Sequence, residues 1–166
     1  DMSKIEAGHF KLELDAVDIP SIVQGAVRLG RDRAGKKGVI VAIDMDKDLP
    51  NARADVRAVR QILLNLLSNA IKFSRTGTEI TVHVDVTPDT LKICVADQGV
   101  GISEDDLKRV RDPFFQVENE MTRKEQGTGL GLPIVVSLAE RMKAGFDLES
   151  EAGVGTRATL TLRRAG

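Results

Sequence analysis

An α+β fold, a two-layer sandwich of a mixed, largely antiparallel sheet against three main helices, is predicted by three features of this 166-residue chain. Stretches with an apolar residue at every second position are interspersed with stretches of helical period. The two kinds do not follow each other in the regular strand-helix-strand order of a parallel sheet. Hydrophobic residues make up 42% of the chain, enough for one core in a single domain.

The elements follow in order. Ser3 to Ala7 is short, charged and helix-compatible, and Gly8 stops it, so 1–8 is expected to be the end of a helix whose body lies upstream; the start at Asp1 without Met reads as a piece of a longer protein. The domain proper is then 9–166. His9 to Val17 alternates, with Phe10, Leu12 and Leu14 on one side, as a half-buried strand does. Asp18 is placed to cap a helix, Pro20 suits its first turn, and Ile22, Val23, Ala26, Val27 and Gly30 repeat at helical spacing until Gly35 and Gly38. Val39 to Ile43 reads as a short strand, closed by a polar turn before Pro50. From about Asp55 to Phe73 the period is clearest, with Val56, Val59, Ile62, Leu63, Leu66, Leu67 and Ala70 in one apolar stripe.

Thr78 to Val86 alternates with Ile80, Val82, Val84 and Val86 inward and His83 on the polar face, and Leu91 to Ala96 returns as its hairpin partner. Ser103 with Asp106 resembles a capping box for a short helix to about Arg111. Gln116 to Gln126 is polar and without period, which predicts a loop. Gly131 to Lys143 reads as a helix, and Phe146 to Ser150 and Thr156 to Leu162 as strands joined by a turn at Gly153 and Gly155.

Composition narrows the function. A net charge of -1 supplies no global field toward nucleic acid or an anionic membrane, and with no Trp, no Tyr and five Phe the stacking surface of a single-strand binder is scarce. Nucleic acid is therefore not an expected partner. A lone Cys94 in an apolar stretch excludes an internal disulfide, favours core packing and suggests a reducing, cytoplasmic setting. No apolar run approaches the roughly 20 residues of a spanning helix.

Three stretches carry chemistry. In GTGLGL, Gly127, Gly129 and Gly131 run into a helix whose first turn leaves N–H groups unpaired at the positive end of its dipole, so it can hold a phosphate; it reads equally well as a flexible loop and a helix start without ligand. On the long helix, Asn65, Asn69 and Lys72 are spaced by four and three residues and share one edge with Gln61. Two carboxamides and an ammonium there suit a hydrated Mg²⁺ and the phosphates it bridges, and the alternative is a solvated helix face. In CVADQGVGI, alternation carries the side of Leu91, Ile93 and Val95 onto Asp97, whose inward carboxylate needs a donor such as the exocyclic amine of adenine; Asp-x-Gly is also an ordinary turn signal. GRDRAGKKG has phosphate-loop spacing but Lys37 where Ser or Thr is required, and reads as a basic helix end. His9, His83 and Cys94 have no zinc-ligand spacing.

In this order, NLLSNAIKFS, DQGVGI, DPFFQ, GTGLGL and GVGT resemble the catalytic, ATP-binding domain of sensor histidine kinases, of the GHKL superfamily, over about residues 12 to 163. DMSKIEAG resembles the end of the second helix of that family's dimerisation and phosphoacceptor domain. The resemblance implies a Bergerat-type ATP-binding fold and Mg-ATP as ligand. It implies that Asn69 coordinates Mg²⁺, that Asn65 and Lys72 assist at the phosphates, that Asp97 bonds adenine with Gly99 and Gly101 bordering the base, and that Thr156 lies near Asp97. Gly127, Thr128, Gly129, Leu130, Gly131 and Leu132 would contact the nucleotide. Gln116 to Gln126 would be the ATP lid, with Arg123 or Lys124 toward the γ-phosphate. Phe114 and Phe115 would match the phenylalanine box or serve equally as core anchors.

The phosphoacceptor histidine is absent and His9 lacks its expected neighbours, so this chain alone is expected to bind ATP without autophosphorylating. The implied partners are the upstream phosphoacceptor domain and a response regulator receiver domain, with a homodimeric parent, either free in the cytoplasm or membrane-anchored, and a monomeric fragment. Related gyrase-like and chaperone-like ATPases have Glu where Asn65 stands, and Asn cannot act as a base for water. A degenerate module that only docks regulators remains the other reading.

Overall fold

The computed structural model describes residues 11–46, 48–109 and 131–165. In chain order these form β1 (Asp15–Val17), α1 (Ile19–Lys37), β2 (Ile40–Asp44), β3 (Ala52–Ala54), α2 (Val56–Phe73), β4 (Glu79–Val86), β5 (Thr90–Ala96), α3 (Glu104–Leu107), α4 (Gly131–Arg141), β6 (Gly145–Glu151) and β7 (Gly155–Arg164). The strands make one mixed sheet in the order β1-β3-β7-β5-β4-β2, with β6 also paired to β7. Only β2 beside β4 is parallel among the described pairs; the others are antiparallel. The two-layer α+β prediction holds. β7 is long enough to pair with β5 along one flank while its other flank is shared between β6 and then β3.

Helices α1, α2 and α4 bury their apolar sides on one face of the sheet, where Ile80, Val82, Ile93, Val95, Leu160 and Leu162 meet them. α2 buries the predicted stripe from Val59 to Ala70 and ends on Ser74, whose hydroxyl donates to the Ala70 carbonyl at 2.6 Å. Its first stripe residue, Val56, is 42% exposed and lines an open groove beside Asp55 and Arg60. Asp55 stands outside the helix as its cap and accepts from the N–H groups of Arg57 at 2.9 Å and Ala58 at 3.0 Å. Asp18 occupies the cap position of α1 but its side chain makes no capping bond, contrary to expectation. The basic end of α1 caps a neighbour: Lys37 Nζ donates to the carbonyls of Ile71 and Lys72 at 2.8 and 2.7 Å, at the C-terminal end of α2.

Strand limits depart from the pattern in three places. The predicted strand from His9 shrinks to Asp15–Val17, since Glu13 gives its N–H to Asp55 Oδ2 at 2.8 Å and not to a ladder; His9 and Phe10 lie outside the described residues, as do 1–8. β3 escaped prediction because three residues are too short to show alternation, although Ala52 and Ala54 are fully buried. Val86 is 41% exposed at the hairpin end. Cys94 is a buried free thiol, but its registry with His83 and Thr159 puts it on the face away from the helices. Among the described residues, no helix is long and apolar enough to cross a membrane.

Candidate functional site

α2 carries Gln61, Asn65, Asn69 and Lys72, all half-buried, along one edge. Gln61 Nε2 donates to Asn65 Oδ1 at 2.9 Å, and Asn65 Nδ2 reaches the Gly131 carbonyl at 3.5 Å. A Cβ on Gly131 would stand 3.5 Å from Asn69 Nδ2, an ordinary van der Waals contact, so the start of α4 packs directly beside this edge. The Lys72 ammonium lies 5.4 Å from the centre of the Phe73 ring, within cation–π range.

Asp97 follows the last residue of β5. Its N–H donates to the Thr156 carbonyl at 2.9 Å, and its Oδ1 accepts from the N–H groups of Gly99 at 2.9 Å and Thr156 at 3.2 Å. Burial pushes its carboxyl above the ordinary carboxylate range, and those two N–H groups only partly pull it back. A cleft between α2 and the sheet is lined by Asn69, Phe73, Asp97, Ile102, Leu132 and Thr156 among others. Asn69 from the helix edge, Asp97 and Leu132 at the start of α4 thus meet at one place, whereas Gln61, Asn65 and Lys72 do not line the cleft. Apolar walls with few polar groups suit a flat heterocycle.

Gly99 and Gly101, expected to border the base, are not among the residues lining this cleft and pack against neighbouring backbone. A Cβ on Gly99 would run into the Phe73 carbonyl, which accepts from the Val100 N–H at 3.2 Å, and Gly101, at φ 70°, packs its bare Cα on the Glu151 carbonyl. Phe114, Phe115, Gln116 to Gln126, Gly127, Thr128, Gly129 and Leu130 lie outside the described residues.

Two features were missed from sequence. Asp55 gives no periodic signal, yet it is 1% exposed; burial alone would raise its pKa, but the N–H groups of Glu13, Ala58 and Arg57 and the Arg57 charge outweigh that and hold it below the ordinary value. Ser150 reads as a strand residue, and only the fold brings it to Ile102 and Thr156. A wider groove lined by Glu13, Asp18, Ser21, Asp55, Arg57 and Arg60 lies at the other end of α2 and contains no predicted site residue. His83 lies between Asp44 and Asp85, and no group of three or more His, Cys, Asp or Glu among the described residues could hold a metal ion.

Residues 54–166 match the family model described as histidine kinase-, DNA gyrase B-, and HSP90-like ATPase. The non-motile and phage-resistance protein of Caulobacter vibrioides is 43% identical over 98% of this chain and 20% of its own length. Histidine protein kinase DivJ of the same organism is 41% identical over 98% of this chain and 27% of its own length. The chain therefore spans about a fifth to a quarter of these relatives. The crystal structure of full-length ShkA in complex with AMPPNP superposes with a TM-score of 0.84 at 29% identity, covering 99% of this chain and 34% of that one. The catalytic domain of histidine kinase ThkA, at 19% identity and a TM-score of 0.79 over 93% of this chain and 99% of that one, shares the fold.

Proposed function

Given that the chain belongs to the histidine kinase-, DNA gyrase B- and HSP90-like ATPase family, we propose that it holds Mg-ATP and presents the γ-phosphate to a histidine on another domain. It is an ATP-binding kinase catalytic domain of the sensor histidine kinase type. The observation that carries the finer reading is the meeting of Asn69, Asp97, Leu132 and Thr156 around one cleft.

Phosphoryl transfer needs positioning and charge neutralisation more than covalent chemistry from the protein. Asp97 Oδ2 accepts no bond among the described residues and is the natural partner of the adenine amine, while Phe73, Ile102 and Leu132 cover the ring. Asn69 fits Mg²⁺ by its chemistry: a neutral carboxamide beside the cleft, with no metal-binding acidic cluster among the described residues, suits an ion whose remaining ligands are waters and phosphates. Bound there, the ion would neutralise phosphate charge. Asn65, its Oδ1 already taken by Gln61, and Lys72 would steady the phosphate end. Hydrolysis is disfavoured, since an asparagine cannot take a proton from water at neutral pH.

The receiving histidine belongs to an upstream dimerisation domain, in the same subunit or its partner, and the phosphate passes onward to an aspartate of a response regulator. The parent is a cytoplasmic or membrane-anchored homodimer. The test joins this chain to its upstream helical domain and follows acid-labile, base-stable label from γ-labelled ATP. Label on a histidine is expected, and a chain that binds Mg-ATP but never labels that domain would be a docking module.

A further inference from the structure

Ser150 on β6 sits where the segment after β5 meets the β6–β7 hairpin. Its hydroxyl accepts the Ile102 N–H at 2.7 Å, donates to the Gly155 carbonyl at 3.0 Å, and lies 2.8 Å from Thr156 Oγ1. A serine hydroxyl has one proton and two lone pairs. The Gly155 carbonyl can only accept, so the proton goes there, and the Ile102 N–H takes one lone pair. The remaining lone pair faces Thr156, which must therefore be the donor of the 2.8 Å bond. With its proton committed to Ser150, Thr156 Oγ1 has only lone pairs left to offer the cleft. Asp97 is in the same state, with both of its backbone N–H partners on Oδ1. This wall presents acceptors.

We propose that Ser150 is a specificity-determining positioning residue: by taking the Thr156 proton it keeps the base wall acceptor-only and so selects a purine with an amine at position 6 over one with a carbonyl there. The inference rests on the nucleotide reading above and deepens it. A 6-oxo purine would set its oxygen against the lone pairs of Asp97 and Thr156 with no proton between them, and a site built around hydrogen bonds rejects such an analogue strongly. Removal of the Ser150 hydroxyl frees the Thr156 O–H to turn into the cleft and meet a carbonyl.

Titration calorimetry with the magnesium salts of ATP and ITP tests this. The wild type should prefer ATP, and Ser150→Ala should narrow the ATP-to-ITP ratio about tenfold, the value of one hydrogen bond. Ser150→Thr, which keeps the hydroxyl, should restore the ratio. Equal weakening of both nucleotides in Ser150→Ala, with the ratio intact, would mean that the serine only braces Ile102 and would overturn the proposal. If Ser150→Ala does not fold, Ser150→Cys, of similar size and a poorer acceptor, must narrow the ratio, and an unchanged ratio overturns the proposal equally. A wild type that binds neither nucleotide defeats the nucleotide reading and this inference with it, whereas a preference for ATP that survives loss of the hydroxyl defeats only the role of Ser150.

Discussion

Asp97 and Thr156, 59 positions apart, hold each other through two hydrogen bonds: the Asp97 N–H donates to the Thr156 carbonyl at 2.9 Å and the Thr156 N–H donates to Asp97 Oδ1 at 3.2 Å. They extend the β5–β7 ladder just past its last pair, Ala96 with Arg157. The carboxylate is thus aimed by main chain, which has little freedom to re-aim it, and its second oxygen accepts no hydrogen bond among the described residues.

In Asp97→Asn, a carboxamide oxygen can still accept from Gly99 and Thr156, but an N–H group then faces the ligand amine. Adenine nucleotide binding should weaken about 10- to 100-fold, the range for a hydrogen bond to a charged group, with the melting temperature little changed. Because burial holds the Asp97 carboxyl above its ordinary 3.8, wild-type affinity should fall on acidification before an exposed aspartate would titrate. Calorimetry across pH checks this, and an Asn variant with the same acid slope would remove Asp97 from the site.

Asn69→Ala should separate function from stability. Alanine is the better helix former by about 0.5–0.7 kcal/mol, so α2 should hold or gain stability, while the dependence of nucleotide affinity on Mg²⁺ should flatten. Paired titrations with and without the ion decide it. Equal Mg²⁺ dependence in both proteins would place the metal elsewhere.

Asp55 governs acid stability from the opposite end of α2. Its folded pKa lies below 3.8, so its contribution is fully present above 3.8 and is lost as pH falls through the folded value. Asp55→Ala should cost about 1–2 kcal/mol for the lost cap, and Asp55→Asn should reduce the loss of stability on acidification. Urea unfolding at a series of pH values measures both.

His83 contributes with the opposite sign. Burial alone would lower its pKa, but the Asp85 carboxylate at 2.8 Å and Asp44 at 3.1 Å, one on each ring nitrogen, raise it above 6.5. Its share of stability is complete below 6.5 and is lost as pH rises through the folded value. An NMR titration should find the imidazole midpoint above 6.5 and lower in Asp85→Asn; a midpoint unmoved by that change would show that the contact is not formed in solution.

The long helix was legible because 18 residues of strong period with buried leucines leave little choice of face, and the β4–β5 hairpin because alternation and a short polar turn coincide. β3 was illegible for the opposite reason, being too short to carry a pattern. In the site, Asn65 and Asn69 stood out as poor helix formers inside a leucine-rich helix, and Asp97 as a charge on the apolar side of a strand. Ser150 looked ordinary, since nothing local distinguishes a serine that closes a hydrogen-bond network from one that faces water.

Local chemistry, written in the order of residues, determined which segments become helix or strand, which side of each is buried, and which polar groups sit on the wrong side and so need a partner. Only the tertiary structure decided that β7 is shared between β5, β6 and β3, that the end of α1 caps α2, and where the hydroxyl protons of Ser150 and Thr156 go. Periodicity is a property of neighbours along the chain, whereas a hydrogen bond between Asp97 and Thr156, or one closing at Ser150, depends on which distant strands the sheet places side by side.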